Sequence, residues 1–318
     1  MSALLGLLAL VLHLALLLAA APLLAGLLRL AQARLLGRAG PSAMQPWRDL
    51  LRLSRKQVVY ADSGSWLLRA APVADFATSL AAASLVPSFA LGMASAPAAD
   101  LLVFAGLLAL GRAMLALAAL DAGTGFGGLG ASRAMTFAVF AEPALLLVIF
   151  TFTLLAGTTN LDAVAATVHE GALGLRVSMG LALVAVIAVA LVENGRVPTG
   201  NPATHLELTM VHEAMILDYS GRGLALLEWA AALRLLVWMS LIGIAFAPFA
   251  AAAAAAPLGW PLGLAAWAGK ILLLSGGLTL LEASRARMRL FRVPEFLGVA
   301  ILLGLLAVIF LFISQGFA

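Results

Sequence analysis

The stretch ENGRVPTGNPATHLELTMVHEAMILDYSG, residues 193–221, decides how this chain is read. It carries Glu193, Glu207, Glu213 and Asp218, and with His205 and His212 it holds two of the chain's four histidines. Apolar runs long enough to cross a bilayer flank it, Leu173–Val192 before and Leu224–Phe246 after. Ionisable groups at a membrane edge are costly to hold there, so such a cluster reads first as functional. Pro198 and Pro202, with Gly195 and Gly200, stop the helix after Glu193. Thr204 followed by Glu207 is a capping box that opens a new helix. The order is therefore span, ordered loop, short helix, and Tyr219-Ser220-Gly221 ahead of the next span. Non-helical backbone at membrane level survives only where protein or water covers it, which implies a buried docking surface or an aqueous cavity.

Outward from this stretch, composition fixes the class. Of 318 residues 64% are hydrophobic and 11% charged, and the mean hydropathy is +1.09. That is an all-α polytopic membrane protein, a single membrane domain over 1–318; Leu-, Ala- and Val-rich runs without alternation argue against a barrel. The runs predict about eight transmembrane helices: Ala3–Leu28, Pro72–Met93, Leu101–Leu120, Met135–Ala156, Leu173–Val192, Leu224–Phe246, Leu262–Leu281 and Leu297–Phe312. The first lacks a basic leader and an early cleavage site and is kept as a span. Sixteen of the nineteen basic residues fall in the loops after spans one, three, five and seven. The positive-inside rule then places those loops, about 29–71, 121–134, 193–223 and 282–296, in the cytoplasm and both termini outside. The basic excess is thus a topology signal, and nucleic acid is a poor reading of it. With no Cys, the chain has no disulfides and no Cys-ligated metal of its own.

Two loops hold more than linkers. In the first, Pro46 opens an amphipathic helix with Trp47, Leu50 and Leu51 on one face and Arg48, Arg52 and Arg55 on the other. The second, DAGTGFGGLG at 121–130, has no strand before it and no Lys-Ser/Thr after it, so flexible backbone packing is expected rather than a phosphate cradle. The run Ala250–Ala256 is a connection without chemistry.

Ionisable groups at membrane depth are the proton-path candidates. Glu142 precedes Pro143, Glu193 closes span five, Glu228 opens span six with Arg234 two turns on, Lys270 is mid-span, and Glu282 ends span seven. Desolvation moves carboxyl pKa values up and Lys values down, toward the range where protons exchange. The plain alternative for each is pairing with a neighbour that only ties helices together. His205-Leu206-Glu207 and His212-Glu213 lack the spacing of a His-Glu-x-x-His metal site, so proton acceptance or subunit docking is expected of them instead. His13 and His169 read as packing or surface residues.

The stretch from Pro202 to Glu213, with Asp218-Tyr219-Ser220-Gly221, resembles the signature of the membrane subunit of energy-converting hydrogenases, formate hydrogenlyase and hydrogenase-4, a family related to the junction subunit of respiratory complex I. Arg38 to Leu50, including Gln45 and Asp49, resembles that family's first cytoplasmic loop; Ala141-Glu142-Pro143 its fourth-span acid; and Arg287 to Glu295, including Arg292, the start of its last helix. The chain departs from the pattern at Ala134, Gly200 and Asn201, where the family carries acids, and at Asp218, where it often carries Glu. The resemblance implies an inner-membrane, non-catalytic subunit that anchors a peripheral redox arm and couples electron transfer to H+ or Na+ movement. It implies no cofactor on this chain, with nickel–iron and iron–sulfur centres, or quinone, in partner subunits or at the interface. The implied partners are a hydrogenase-like large subunit, a small iron–sulfur subunit, antiporter-like membrane subunits and the bilayer. Arg38, Gln45, Asp49, Arg196, His205, Glu207, His212, Glu213, Asp218, Tyr219 and Arg292 are the implied junction residues. Two alternatives stay open: a quinone-site subunit of a respiratory NADH dehydrogenase, and a stand-alone proton-coupled transporter.

Overall fold

A computed structural model describes residues 2–61, 64–169, 177–196, 210–284 and 292–316. The described helices are α1 (Ser2–Leu35), α2 (Gln45–Ser54), α3 (Trp66–Leu85), α4 (Leu101–Asp121), α5 (Gly125–Ala156), α6 (Leu161–His169), α7 (Val177–Glu193), α8 (His212–Ile216), α9 (Gly221–Phe246), α10 (Trp260–Ser284) and α11 (Val293–Gly316). Six of them are long and apolar enough to cross a membrane: α1, α4, α5, α9, α10 and α11. The apolar α7 runs for 17 described residues, and α3 for 20, carrying Arg69 and Asp75. The protein is an all-α polytopic membrane protein. Among the described residues the one sheet is a parallel pairing of two residues each, β1 (Ala90–Leu91) with β2 (Ala252–Ala253), so the alanine run forms a strand and not a bare connection.

Local chemistry sets the helix limits. Ser65, Asp100 and Thr124 cap α3, α4 and α5 by accepting hydrogen bonds from Leu67 N (3.2 Å), Leu102 N (2.7 Å) and Gly127 N (3.2 Å). Helix α1 runs seven residues past the expected Leu28, to Leu35, so Arg29 and Arg34 are helical, and two further elements differ from expectation. The third helix starts at Trp66 and stops at Leu85, because Ser65 offers a cap and the following residues turn toward β1. The glycine-rich segment is mostly helix: with Thr124 as cap, α5 takes in every glycine from Gly125 on and runs for 32 residues. At about 1.5 Å per residue that is longer than the ~30 Å hydrocarbon core, so α5 extends beyond the membrane.

Helix α9 is the hub. Of its apolar window 72% is buried, against 22% for α1, and it packs on α1, α2, α3, α6, α7 and α10. Leu227, Leu233, Leu236 and Trp238 are fully enclosed. The exposed Leu, Val and Phe side chains of α1, α10 and α11 face what a bilayer would supply.

The amphipathic α2 is fixed to this hub by an unusual arrangement. Pro22 lies inside α1 and lacks an N–H, so the Leu18 carbonyl has no helical donor and its neighbour's bond is weakened. Trp229 Nε1 of α9 donates to Leu18 O at 3.1 Å, and Trp47 Nε1 of α2 donates to Ala19 O at 3.1 Å. The two indoles meet edge to face, with centroids 5.7 Å apart, and Phe76 of α3 stacks on Trp229 at 5.3 Å. Pro46 and Leu50 of α2 turn inward, whereas Leu51, expected on the same face, is 53% exposed.

The loops after spans one, three and five gather at one end of the bundle. Asp121 accepts from Ser65 N (2.7 Å) and Ser65 Oγ (2.9 Å), Asp218 from Thr124 Oγ1 (2.9 Å), and Ser220 Oγ from Val59 N (2.9 Å). Arg222 Nε donates to Ser54 O at 3.2 Å. Gly221 is at φ +52°, and a Cβ there would meet the Lys56 carbonyl oxygen at 2.9 Å, so this crossing requires glycine. The β1–β2 pair and α6 lie in the connections expected at the other end.

Candidate functional site

The stretch that opened the sequence reading lies within the described residues as far as Arg196, and again from Met210. His205 and Glu207, with Gly200 and Asn201, lie outside them. The returning chain is seated on α5. Arg133 Nη1 donates to Met210 O at 2.9 Å, and a Cβ on Gly130 would meet Val211 O at 2.8 Å and the Ala214 Cβ at 2.9 Å. Glycine at 130 is what lets α8 lie against α5 so closely.

Behind α8 three charged groups form a chain across three helices. Arg112 of α4 bonds Glu142 of α5 at 2.5 Å through Nη2, and Glu193 of α7 through Nη1. Arg112 and Glu193 are each 16% exposed at the side chain, Glu142 49%. The basic-residue count puts Arg112 in a loop; it sits nine residues before the end of the helix, Asp121, and the acids on α5 and α7 are what neutralise it. A second pair was missed altogether. Asp75 of α3, wholly buried, pairs with Arg234 of α9, which also reaches Ser79 Oγ at 3.4 Å. The other oxygen of Asp75 has no partner among the described residues. An acid inside a helix with Ser and Thr was the available signal; its partner, 159 residues away, had none. A third group joins Glu282 of α10 to Arg196 at 3.5 Å and to Gln32 of α1.

Two cavities lie on this framework. One, of about 410 Å³, opens between α1, α2 and α9; the other, of about 380 Å³, lies among α3, α4, α5 and α8. Glu193, Gly195, His212 and Arg234 line both and form the wall between them. His212 is desolvated there and sits beside the Arg234 charge, which together push its pKa down to about 3 and keep the ring neutral. The neutral ring can accept or pass a hydrogen bond across the wall but does not hold a charge near pH 7.

The remaining candidates scatter. Glu228 is exposed on the α2-side cavity. Among the described residues Lys270 is in no ion pair: its Nζ donates to Phe249 O at 2.9 Å and stands 4.6 Å over that ring, its long stem reaching toward the end of the helix. Asp49 accepts from Gln45 (3.1 Å) and Arg52 (3.0 Å) within α2. Arg38, Glu213 and Arg292 are exposed. Tyr219 is buried with its hydroxyl unpartnered among the described residues, and burial with Tyr60 nearby pushes the phenol up. His13 is fully buried between Ser88 Oγ (2.7 Å) and Ala83 O (2.9 Å), and His169 is exposed at the end of α6.

The fold and sequence both have relatives. The fold matches the membrane-bound sulfane sulfur reductase, an archaeal respiratory membrane complex, with a TM-score of 0.79 over 94% of this chain and 98% of that one; at 18% identity this speaks for the fold alone. The chain is 31% identical over 277 residues to formate hydrogenlyase subunit 4 of Escherichia coli (strain K12), covering 87% of this chain and 89% of that protein. It is 34% identical over 228 residues to hydrogenase-4 component C of the same organism, covering 72% and 71%. Residues 7–313 match the family model described as NADH dehydrogenase, and the chain is a multi-pass membrane member of that family.

Proposed function

We propose that this chain is the inner-membrane subunit that seats a peripheral redox arm and ties its electron transfer to the movement of H+ or Na+, in a complex of the energy-converting hydrogenase type. One observation carries the reading. The segment 210–222, on the end that gathers the basic loops, shares a wall with a charged chain running into the helices: His212 and Glu193 face the cavities, and Arg112 links Glu193 to Glu142. On this reading that end is cytoplasmic. Arg38, Gln45, Asp49, Glu213, Asp218 and Arg292 lie toward the arm. Nickel–iron and iron–sulfur centres belong to a hydrogenase-like large subunit and a small partner, and antiporter-like subunits take the ion onward.

The chemistry assigned to this chain is proton handling. A cavity of about 380 Å³ holds roughly a dozen waters at ~30 Å³ each. Arg112 never releases its proton, so it positions the two carboxylates while water carries protons between them. A carboxylate takes up a proton from water on the cavity side and returns it to water on the other; glutamine cannot. In the assembled complex, Glu193→Gln and Glu142→Gln should therefore leave the redox half-reaction running while ion movement falls by about a hundredfold, the low end of what a positioned acid–base group contributes. Ion movement intact in both variants would overturn the assignment.

The two joined cavities favour a second reading, a quinone site in a respiratory NADH dehydrogenase-type complex, since their volumes lie in the ~300–1,000 Å³ range of small-molecule sites. Protection of the loop around His212 from labelling by added quinone would select it, and a large partner subunit with paired Cys-x-x-Cys motifs would select the hydrogenase reading.

A further inference from the structure

The charges on the wall of the α2-side cavity do not all cancel among the described residues. Asp49 pairs with Arg52, Glu193 with Arg112, Arg196 with Glu282, and Arg234 with Asp75. What remains is one cation from α1, Arg29, and one anion from α9, Glu228, both exposed and both lining the cavity. Among the described residues neither has a hydrogen bond or ion pair. A pocket of about 410 Å³ that presents one guanidinium and one carboxylate unpaired among the described residues suits an occupant carrying both signs of charge.

The rest of the wall says what else that occupant must be. Pro22, Ala25, Leu50, Leu53, Ala231 and Leu235 give it an apolar side. One wall is α2, which carries Arg48 and Arg55 exposed beside it, and such helices lie at the boundary of headgroups and acyl chains. The indole bonds from Trp47 and Trp229 to the carbonyls loosened by Pro22 hold that wall in place, so the space is kept open by protein contacts. We propose that this cavity binds a zwitterionic, amine-bearing phospholipid of the phosphatidylethanolamine class. The phosphate sits on Arg29, the primary ammonium donates to Glu228, and the start of the acyl chains lies along the apolar wall. A quaternary amine has no N–H to give Glu228, and a glycerol headgroup brings no cation to it, so the site discriminates among headgroups by chemistry and not by size. The occupant would also seal the lateral face of the wall formed by Glu193 and His212.

The test is native mass spectrometry of the intact membrane complex, delipidated and re-exposed to phosphatidylethanolamine, phosphatidylcholine or phosphatidylglycerol, with soluble glycerophosphoethanolamine as a fourth arm. The expected result is phosphatidylethanolamine retained about tenfold over the other two lipids, a difference of ~1.4 kcal/mol. Arg29→Gln and Glu228→Gln should each bring it down to the phosphatidylcholine level, and Arg29→Lys should keep most of it. Equal retention of all three headgroups, or retention unchanged in Arg29→Gln and Glu228→Gln, would overturn the proposal. Displacement of the lipid by the soluble headgroup at similar concentration would overturn the lipid assignment, because it would mean the acyl chains add nothing. Both glutamine variants are at exposed positions, and the same spectra report whether the complex has assembled.

Discussion

Asp75→Ala strands a cation, and the structure says how much that should cost. Asp75 is wholly buried on α3, and Arg234 of α9, 17% exposed, bonds it directly. Alanine leaves the guanidinium with only Ser79 Oγ at 3.4 Å. Removing one partner of a buried pair costs about 3–5 kcal/mol, because the remaining charge keeps its desolvation penalty without its counter-charge. At roughly 2–4 °C per kcal/mol for a chain of this order, the melting temperature should fall by about 10 °C. Asp75→Asn keeps an acceptor and should lose less. The double variant Asp75→Leu with Arg234→Met removes both charges and should recover most of the loss, since apolar replacements of a whole buried pair are often neutral. Thermal unfolding in detergent, followed by tryptophan fluorescence, suits the question because Trp229 and Trp238 lie on the same helix as Arg234. If the single and double variants add within ~0.5 kcal/mol, the pair is not coupled. Arg234 would then belong to Glu228, the partner that sequence proximity alone suggests, and the lone charge argued for Glu228 would go with it.

Other expectations can be checked separately. Trp47→Phe and Trp229→Phe keep the ring but lose the indole N–H, leaving the Ala19 or Leu18 carbonyl unpaired at about 1–3 kcal/mol; hydrogen exchange in α2 should rise in Trp47→Phe, and unchanged exchange would refute the clamp. Gly130→Val would drive a side chain into the Val211 carbonyl at 2.8 Å, so α8 should lift from α5 and the peripheral arm should be lost severalfold on purification. The pKa of His212 is about 3 in place and 6.5 when released, so the released form takes up the proton first and the docking of α8 is fully stable only above about pH 6.5. Below that it should weaken by up to ~1.4 kcal/mol per pH unit, giving roughly tenfold more opening of 210–216 at pH 5.5, and His212→Gln should abolish the dependence.

Much of the fold was legible because apolar length is a one-dimensional property. A run of leucines announces a span whatever it packs against, and hydrogen bonds of Ser65 with Asp121, Thr124 with Asp218 and Val59 with Ser220 hold three of the basic loops together. Boundaries were less legible where capping competed with composition. The segment 121–130 is rich in glycine and looked like a loop, yet one threonine cap and the weight of the helix behind it made most of it α-helix. There glycine gives close approach to α8, not freedom of the backbone. The sequence marks Trp47 as the apolar face of an interfacial helix; its bond to the Ala19 carbonyl of a different helix, twenty-eight residues away, is not written in that pattern.

The site was half legible for a related reason. Sequence marks a charge in an apolar run as significant but is silent on which charge answers it, since the partner sits on another helix at any separation. Arg112 bridges Glu142 and Glu193 across separations of 30 and 81 residues, and Asp75 finds Arg234 across 159. Reading acids as individual proton carriers therefore picked two ends of one chain, Glu142 and Glu193, and omitted the arginine that makes them a chain. It also gave equal standing to Lys270, which snorkels to a carbonyl, and to Glu228, which remains unmatched. Once the internal pairs are removed, the residue left over is the informative one: a buried pair explains its own persistence, but Arg29 and Glu228, on one cavity and unmatched among the described residues, ask for an occupant that answers both.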